Sequence, residues 1–341
     1  MTAALGVGRI PTVLCIDVEP DGNRPHPAAS WPGFESMLAY TDELRDRLAG
    51  ASGTPVRFTW ALRMDPQIEV LQGSATWLAE RYGAQLDGLL AAGDSFAAHT
   101  HAWRRVDHTK LDAWVADWGD VGWAQECLER TLSSFKVAFG RACHTHRFGD
   151  RFVTSRLHAL LGARGVKVDL TIEPGARPVS AMYPGWRSTH RMLDYAAAPQ
   201  EPYRPVAEDP LLANPDPNAP GPWLLPLTAV DASDWLPAWR RLARAVRFPG
   251  RVRHRPVVLW APGPAEALWA AVGQELAMSP QPYLAFAIRS DVLLSPRSAV
   301  PLRDKFDALL RSPLAQHLVL TDALTAIEAL RPSFVGLASP A

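Results

Sequence analysis

Cysteine is scarce in this chain of 341 residues, and the three present, Cys15, Cys127 and Cys143, stand far apart with no Cys-x-x-Cys pair among them. That spacing argues against a disulfide framework and a zinc ribbon. Cys15 and Cys127 read instead as small hydrophobes, one in a strand and one in a helix. Long apolar runs are missing too: no stretch approaches the roughly 20 residues needed to cross a bilayer. Met1 to Gly8 carries no basic segment leading into an apolar one, so a cytoplasmic protein without a membrane span is expected. Net charge is absent as well, since 35 Lys and Arg balance 35 Asp and Glu. Nothing draws the chain toward nucleic acid or an anionic membrane, so a largely neutral partner such as a sugar fits better.

What the chain does have is apolar material, 48% of its residues, enough for one large α/β domain or two ordinary ones. Strand and helix patterns alternate along it. Thr12 to Ile16, Val56 to Leu62, Phe96 to His99 and Lys167 to Ile172 read as strands, with helices over 34–48, 75–90, 121–139 and 152–161. From about 174 to 222 prolines recur and the periodicity fails, giving one irregular excursion. Beyond it, strands are expected at 223–228, 257–260, 283–288 and 317–320, and helices at 235–246, 266–278, 304–310 and 323–330. Such alternation predicts parallel strands joined by crossover helices, hence a barrel or a doubly wound sheet.

Two strand ends carry the chemistry. The first strand runs into Asp17-Val18-Glu19, and strand alternation sets both carboxylates on one face. Carboxylates this close repel, so an apolar strand end suits them only beside a cation; one can hold a metal while the other stays a base. The third strand ends in His99-Thr100-His101, a pair of imidazoles sharing one side. A lone His-x-His is more often a solvated turn, and it is the second pair of residues that turns the reading toward a metal.

These blocks, with His146-Arg147-Phe148-Gly149, Gly165 to Gly175, Pro202 to Pro210, Leu225 to Thr228 and Tyr283 to Ser290, follow one another as in the NodB-homology polysaccharide deacetylases. The chain resembles in particular the subgroup from surface-polysaccharide gene clusters, whose second motif reads His-x-His-x-Trp. The resemblance spans roughly residues 12 to 330. It implies a single domain over 1–341 with a deformed (β/α) barrel of about seven strands and the site at the strands' C-terminal ends. It further implies Asp17 as base, Glu19, His99 and His101 as ligands of a divalent metal, and Arg147 orienting Asp17. Zinc suits such a donor set best, with cobalt, nickel or iron also suited.

The implied reaction removes an acetyl group from a sugar or a related small molecule. One departure stands out: Arg289-Ser290-Asp291 replaces the segment that carries the family's acid histidine, and an arginine supplies no proton near neutral pH. His146, Trp103 and Asp291 make up the candidate substrate side, although core packing is the commoner use of a tryptophan like Trp103. His144 and His146 form a second His-x-His that can stand in as ligands. The alternatives are a degenerate barrel that binds a glycan or partner without catalysis, and an amidohydrolase-type metal enzyme.

Overall fold

The computed structural model describes residues 8–22, 26–107, 113–178, 193–216, 218–231 and 254–336; the helix expected at 235–246 lies outside them. β1 (Ile10–Val18) is flanked by β11 (Leu284–Arg289) and β2 (Thr59–Arg63), and the sheet continues through β3 (Ser95–Thr100), β6 (Thr145–Phe148), β7 (Val168–Asp169) and β8 (Trp223–Leu224). Every neighbouring pair along this path is parallel, and β12 (Leu318–Leu320) adds to β1 alongside β11. The sheet curls into a half-barrel. Between its edge strands the chain after β8 acts as a strap: Thr228 N donates to Ala285 O at 2.8 Å, and Ala285 N to Thr228 Oγ1 at 2.9 Å.

Strand alternation sorts the core into two layers. Toward the inside point Val13, Cys15, Ala61, Ala97, Val168, Ala285 and Ala287, packed with Ala323, Ala326 and Ile327 of α8 (Ala323–Gly336). Small residues come from β1, β2, β3 and β11, while Leu170, Trp223, Leu225 and Tyr283 fill the rest of this layer. Outward point Leu14, Ile16, Trp60, Phe96 and Phe286, covered by α1 (Pro32–Ser52), α3 (Trp77–Ala91) and α4 (Val121–Phe139), which bring Phe34, Leu86 and Phe135. Burying each such side chain is worth about 1.5–3 kcal/mol.

Caps fix where these helices start. Asp120 accepts from Trp123 N at the head of α4, and Asp65 accepts from Gln67 N at the head of α2 (Pro66–Gln72), a short helix whose Asp-Pro start escaped the periodicity reading. The hairpin of β4 (Trp103–Arg105) and β5 (Trp114–Ala116) also went unforeseen. The strand expected at 257–260 is instead β10 (His254–Pro256), paired antiparallel with β9 (Ala229–Asp231). α5 (Ser155–Ala163), α6 (Ala265–Met278) and α7 (Pro296–Arg311) complete the described helices, α7 beginning eight residues before its apolar pattern because Pro296 opens it. Among the described residues no helix is long and apolar enough to cross a membrane.

Candidate metal centre

At the C-terminal ends of the strands the inner face turns from alanine to charge. β1 contributes Asp17 and, just past its end, Glu19; β2 contributes Arg63, β3 His99, β6 Arg147 and β11 Arg289. Register aligns them, with Asp17 opposite Arg289 and His99 between Arg63 and Arg147. His101 follows β3 by one residue.

Glu19, His99 and His101 each bring a ligand atom to within 4.8 Å of the others, and all three are buried. His99 Nδ1 lies 2.9 Å from Arg147 O, so that nitrogen carries the proton and Nε2 keeps its lone pair. Burial, reinforced by the neighbouring His101, Arg147 and Arg63, holds the His99 pKa well below the usual imidazole value. A neutral imidazole is what a metal requires. His99 Nε2 is 3.1 Å from His101 Nε2, which lies 3.6 Å from Glu19 Oε2.

His101 is gripped from behind. Trp103 Nε1 lies 3.0 Å from its Nδ1 and Asp150 Oδ2 lies 3.3 Å from the same atom. Only one of them can pair well, because the indole N–H donates and the carboxylate accepts. With Trp103 donating, the imidazole proton sits on Nε2 and points at His99. With Nε2 given to a metal, the proton moves to Nδ1 and Asp150 receives it. Burial pushes Asp150 up, but the attraction and hydrogen bond of His101, together with the Trp118 hydrogen bond, leave its pKa lowered. Asp150 also adopts a left-handed backbone, φ 54°, which asparagine and aspartate tolerate better than most residues. Beside it, a Cβ on Gly149 would lie 2.2 Å from His101 Nε2, so the ring needs glycine there.

Around the three donors runs a web of ion pairs. Arg147 Nε meets Asp17 Oδ2 at 3.1 Å, and its other nitrogens bond Leu170 O at 2.6 Å and Glu173 at 3.0 Å. Arg63, 3% exposed, is held by Asp65 at 2.8 Å and reaches Glu19 at 3.7 Å. Arg289 Nη1 is 2.8 Å from Glu19 Oε1, and Asp291 clamps the same guanidinium at 2.9 and 3.0 Å. Arg151 lies 3.7 Å from Glu173. The six carboxylates of this web (Asp17, Glu19, Asp65, Asp150, Glu173, Asp291) face four guanidiniums (Arg63, Arg147, Arg151, Arg289). With both imidazoles neutral, two negative charges remain in excess. Negative charge in excess favours a cation, and one carboxylate with two imidazoles is a donor set that fits a divalent metal.

Of the residues expected at the cleft, His146 and His144 stand elsewhere. His146 is completely buried, bonded to Asp169 at 2.8 Å and Thr100 at 3.0 Å, on the outer face of β6. Alternation explains it, because Arg147 takes the inner face and its neighbour cannot. His144 is exposed and bonds Gly165 O, so the second His-x-His reaches no common point with the site. Asp291 holds Arg289 and accepts from Gly22 N at 2.8 Å; it lies at the site's rim, engaged with protein. Trp103 is half-buried against the core and addresses His101. Arg63, Asp65, Asp150 and Glu173 were not foreseen. Of these, Asp65, ahead of a proline, carried the local signal of a helix cap, and Glu173 fell within the Gly165 to Gly175 block.

The sequence matches no family model and no curated protein. Solved structures do match. A glycoside hydrolase/deacetylase candidate from Parabacteroides distasonis superposes with a TM-score of 0.51 at 12% identity, over 93% of this chain and 70% of that one. The chain has the deacetylase fold. Polysaccharide deacetylase candidates from Pseudomonas aeruginosa (TM-score 0.49, 11% identity, 94% of this chain and 90% of that one) and Mycobacterium smegmatis (0.46, 14%, 96% and 92%) are further neighbours. Identity this low speaks of fold alone, so any activity must be argued from the site. Among the described residues, Glu19, His99 and His101 at the strand ends form the group that could hold a metal ion.

Proposed function

We propose that the chain is a metal-dependent hydrolase that removes an acetyl group from an acetylated sugar or a related small molecule. The observation that carries this reading is the meeting of Glu19, His99 and His101 beside the Asp17–Arg147 pair. Glu19 and the Nε2 atoms of both histidines would hold the ion, zinc first, with cobalt, nickel or iron also suited to such donors. When bound, it would supply Lewis-acid polarisation of the acyl carbonyl.

The chain's own groups divide the remaining work. Asp17 is the proton acceptor, and it acts at Oδ1, because Arg147 occupies Oδ2. The Cys15 thiol, 3.8 Å from Oδ1, competes only weakly; burial, then the Asp17 charge, pushes its pKa well up. Arg289 presents a fixed positive charge able to clamp an oxyanion or a substrate carboxylate, but it gives no proton to a departing amine. An alkoxide leaves with less help, so O-acetyl groups are preferred over N-acetyl groups.

The test is acetate release from O-acetyl and N-acetyl sugars by zinc-loaded protein. Asp17→Asn should keep the metal and lose turnover by about 100-fold or more, whereas His99→Ala should lose metal and turnover together. Arg289→His should gain N-deacetylation. Zinc-loaded protein that releases acetate from neither substrate sinks the proposal. A second reading, a barrel that binds glycan without catalysis, is favoured by one contact, the 2.8 Å pair between Arg289 and the ligand Glu19. Failure of the chain to take up zinc, cobalt or nickel would select it.

A further inference from the structure

Beside the strand ends lies a cavity of ≈ 760 Å³, a size suited to a small organic ligand. Its walls are apolar, Val257 and Leu268 among them, yet four cations line it: Arg151, Arg177, Arg255 and Lys305. No carboxylate belongs to its described lining. Lys305 is the telling member. It is 4% exposed, and its ammonium, with three donors, is bonded to Ala261 O. Burial lowers its pKa, opposed in part by Asp304. A buried cation in an apolar wall calls for an anion, and the described lining supplies none.

The cavity adjoins the metal centre. Arg151 follows Asp150, the partner of His101, and stands 3.7 Å from Glu173, which bonds Arg147 at 3.0 Å. We infer that this cavity receives the anionic group, a carboxylate or a phosphate, of the acetylated glycan, making the protein selective for acidic substrates. The inference rests on the hydrolase reading for the role of the bound molecule, and its test separates the two.

Calorimetric titration of the full chain with N-acetylglucosamine, its 6-phosphate and its C6 carboxylate measures the preference directly, without turnover. At least one acidic probe should bind about tenfold tighter than the neutral sugar, the value of one charge-assisted hydrogen bond. Which acidic probe binds tighter distinguishes carboxylate from phosphate. The acid-to-neutral ratio should fall about tenfold in Lys305→Met and in Arg255→Ala, and also at high salt. Arg255 is exposed, so its variant decides the matter if Lys305→Met fails to fold. Equal binding of acidic and neutral probes, no binding of either acid, or a ratio unmoved in a natively melting Arg255→Ala overturns the inference. Acid preference without acetate release leaves it standing and removes the hydrolase reading; acetate release without acid preference does the reverse.

Discussion

Asp150 offers the sharpest test of how the metal centre is built, because its charge and its backbone can be perturbed separately. Asp150→Asn keeps a residue at home at φ 54° and keeps an oxygen for the Trp118 indole, 2.9 Å away, while deleting the charge that faces His101. Metal affinity should fall by roughly 10- to 100-fold, the usual loss when the group behind a ligating histidine goes, or about 1.4–2.8 kcal/mol. Asp150→Ala should add a cost in folding. Alanine pays about 1–2 kcal/mol in the left-handed region, and the orphaned Trp118 N–H adds about 1–3 kcal/mol. Urea midpoints and competition with a chelating dye measure the two losses independently. The pH dependence has a definite sign: the Asp150 pKa is lowered in the fold, so its stabilisation is complete above about pH 4 and is lost as pH falls through the folded value. The stability gap between wild type and Asp150→Asn should therefore be flat above pH 5 and close in acid. An asparagine variant that binds zinc as tightly as wild type would refute the orienting role, and an alanine variant as stable as the asparagine one would refute the backbone argument.

Gly149→Ala should displace the His101 ring and abolish tight zinc binding at about 1–3 kcal/mol of stability; unchanged zinc affinity would show that the ring can lie elsewhere. Trp103→Phe removes the donor that favours the metal-free tautomer, so zinc should bind up to about fivefold tighter, the worth of one neutral hydrogen bond; weaker binding would mean that the indole holds the ring for the metal instead. Buried neutral histidines make the metal-free fold sensitive to mild acid. The lowered pKa of His99, caused chiefly by burial, means that stability drops as pH falls below about 6.5, and His99→Gln should flatten part of that slope in urea titrations, with His158 responsible for another part.

Legibility in the sequence followed the range of the interaction. The strands of the half-barrel could be read because a buried parallel strand is a continuous apolar run, and Thr12 to Ile16 or Tyr283 to Ile288 need no partner to be recognised. Their true ends, at Val18 and Arg289, run into the site residues themselves, where polarity masks the pattern. The donor pairs were legible for the same local reason, since Asp17-x-Glu19 and His99-x-His101 obey a period of two. Asp150, Glu173 and the Arg63–Asp65 pair were not, because their roles depend on which strands are neighbours and on a left-handed turn after β6.

His146 shows how far local rules carry when applied consistently. Pairing with Asp17 places Arg147 on the inner face of its strand. One step along a strand reverses the face, so the same reading already puts His146 on the outer side, beneath the helices and away from the site, and turns the exposed His144 away from it as well. The structure fills that outer position with a closed polar set, His146 between Asp169 and Thr100, and so meets its hydrogen-bonding needs without water. On the proposed hydrolase reading the consequence is direct. Lying behind the sheet, His146 cannot supply the acid that an arginine at position 289 cannot provide, and a departing group would leave without a proton from that imidazole. An ester tolerates this better than an amide. The parity of β6 thus strengthens the expectation of O-acetyl preference that Arg289 alone suggested.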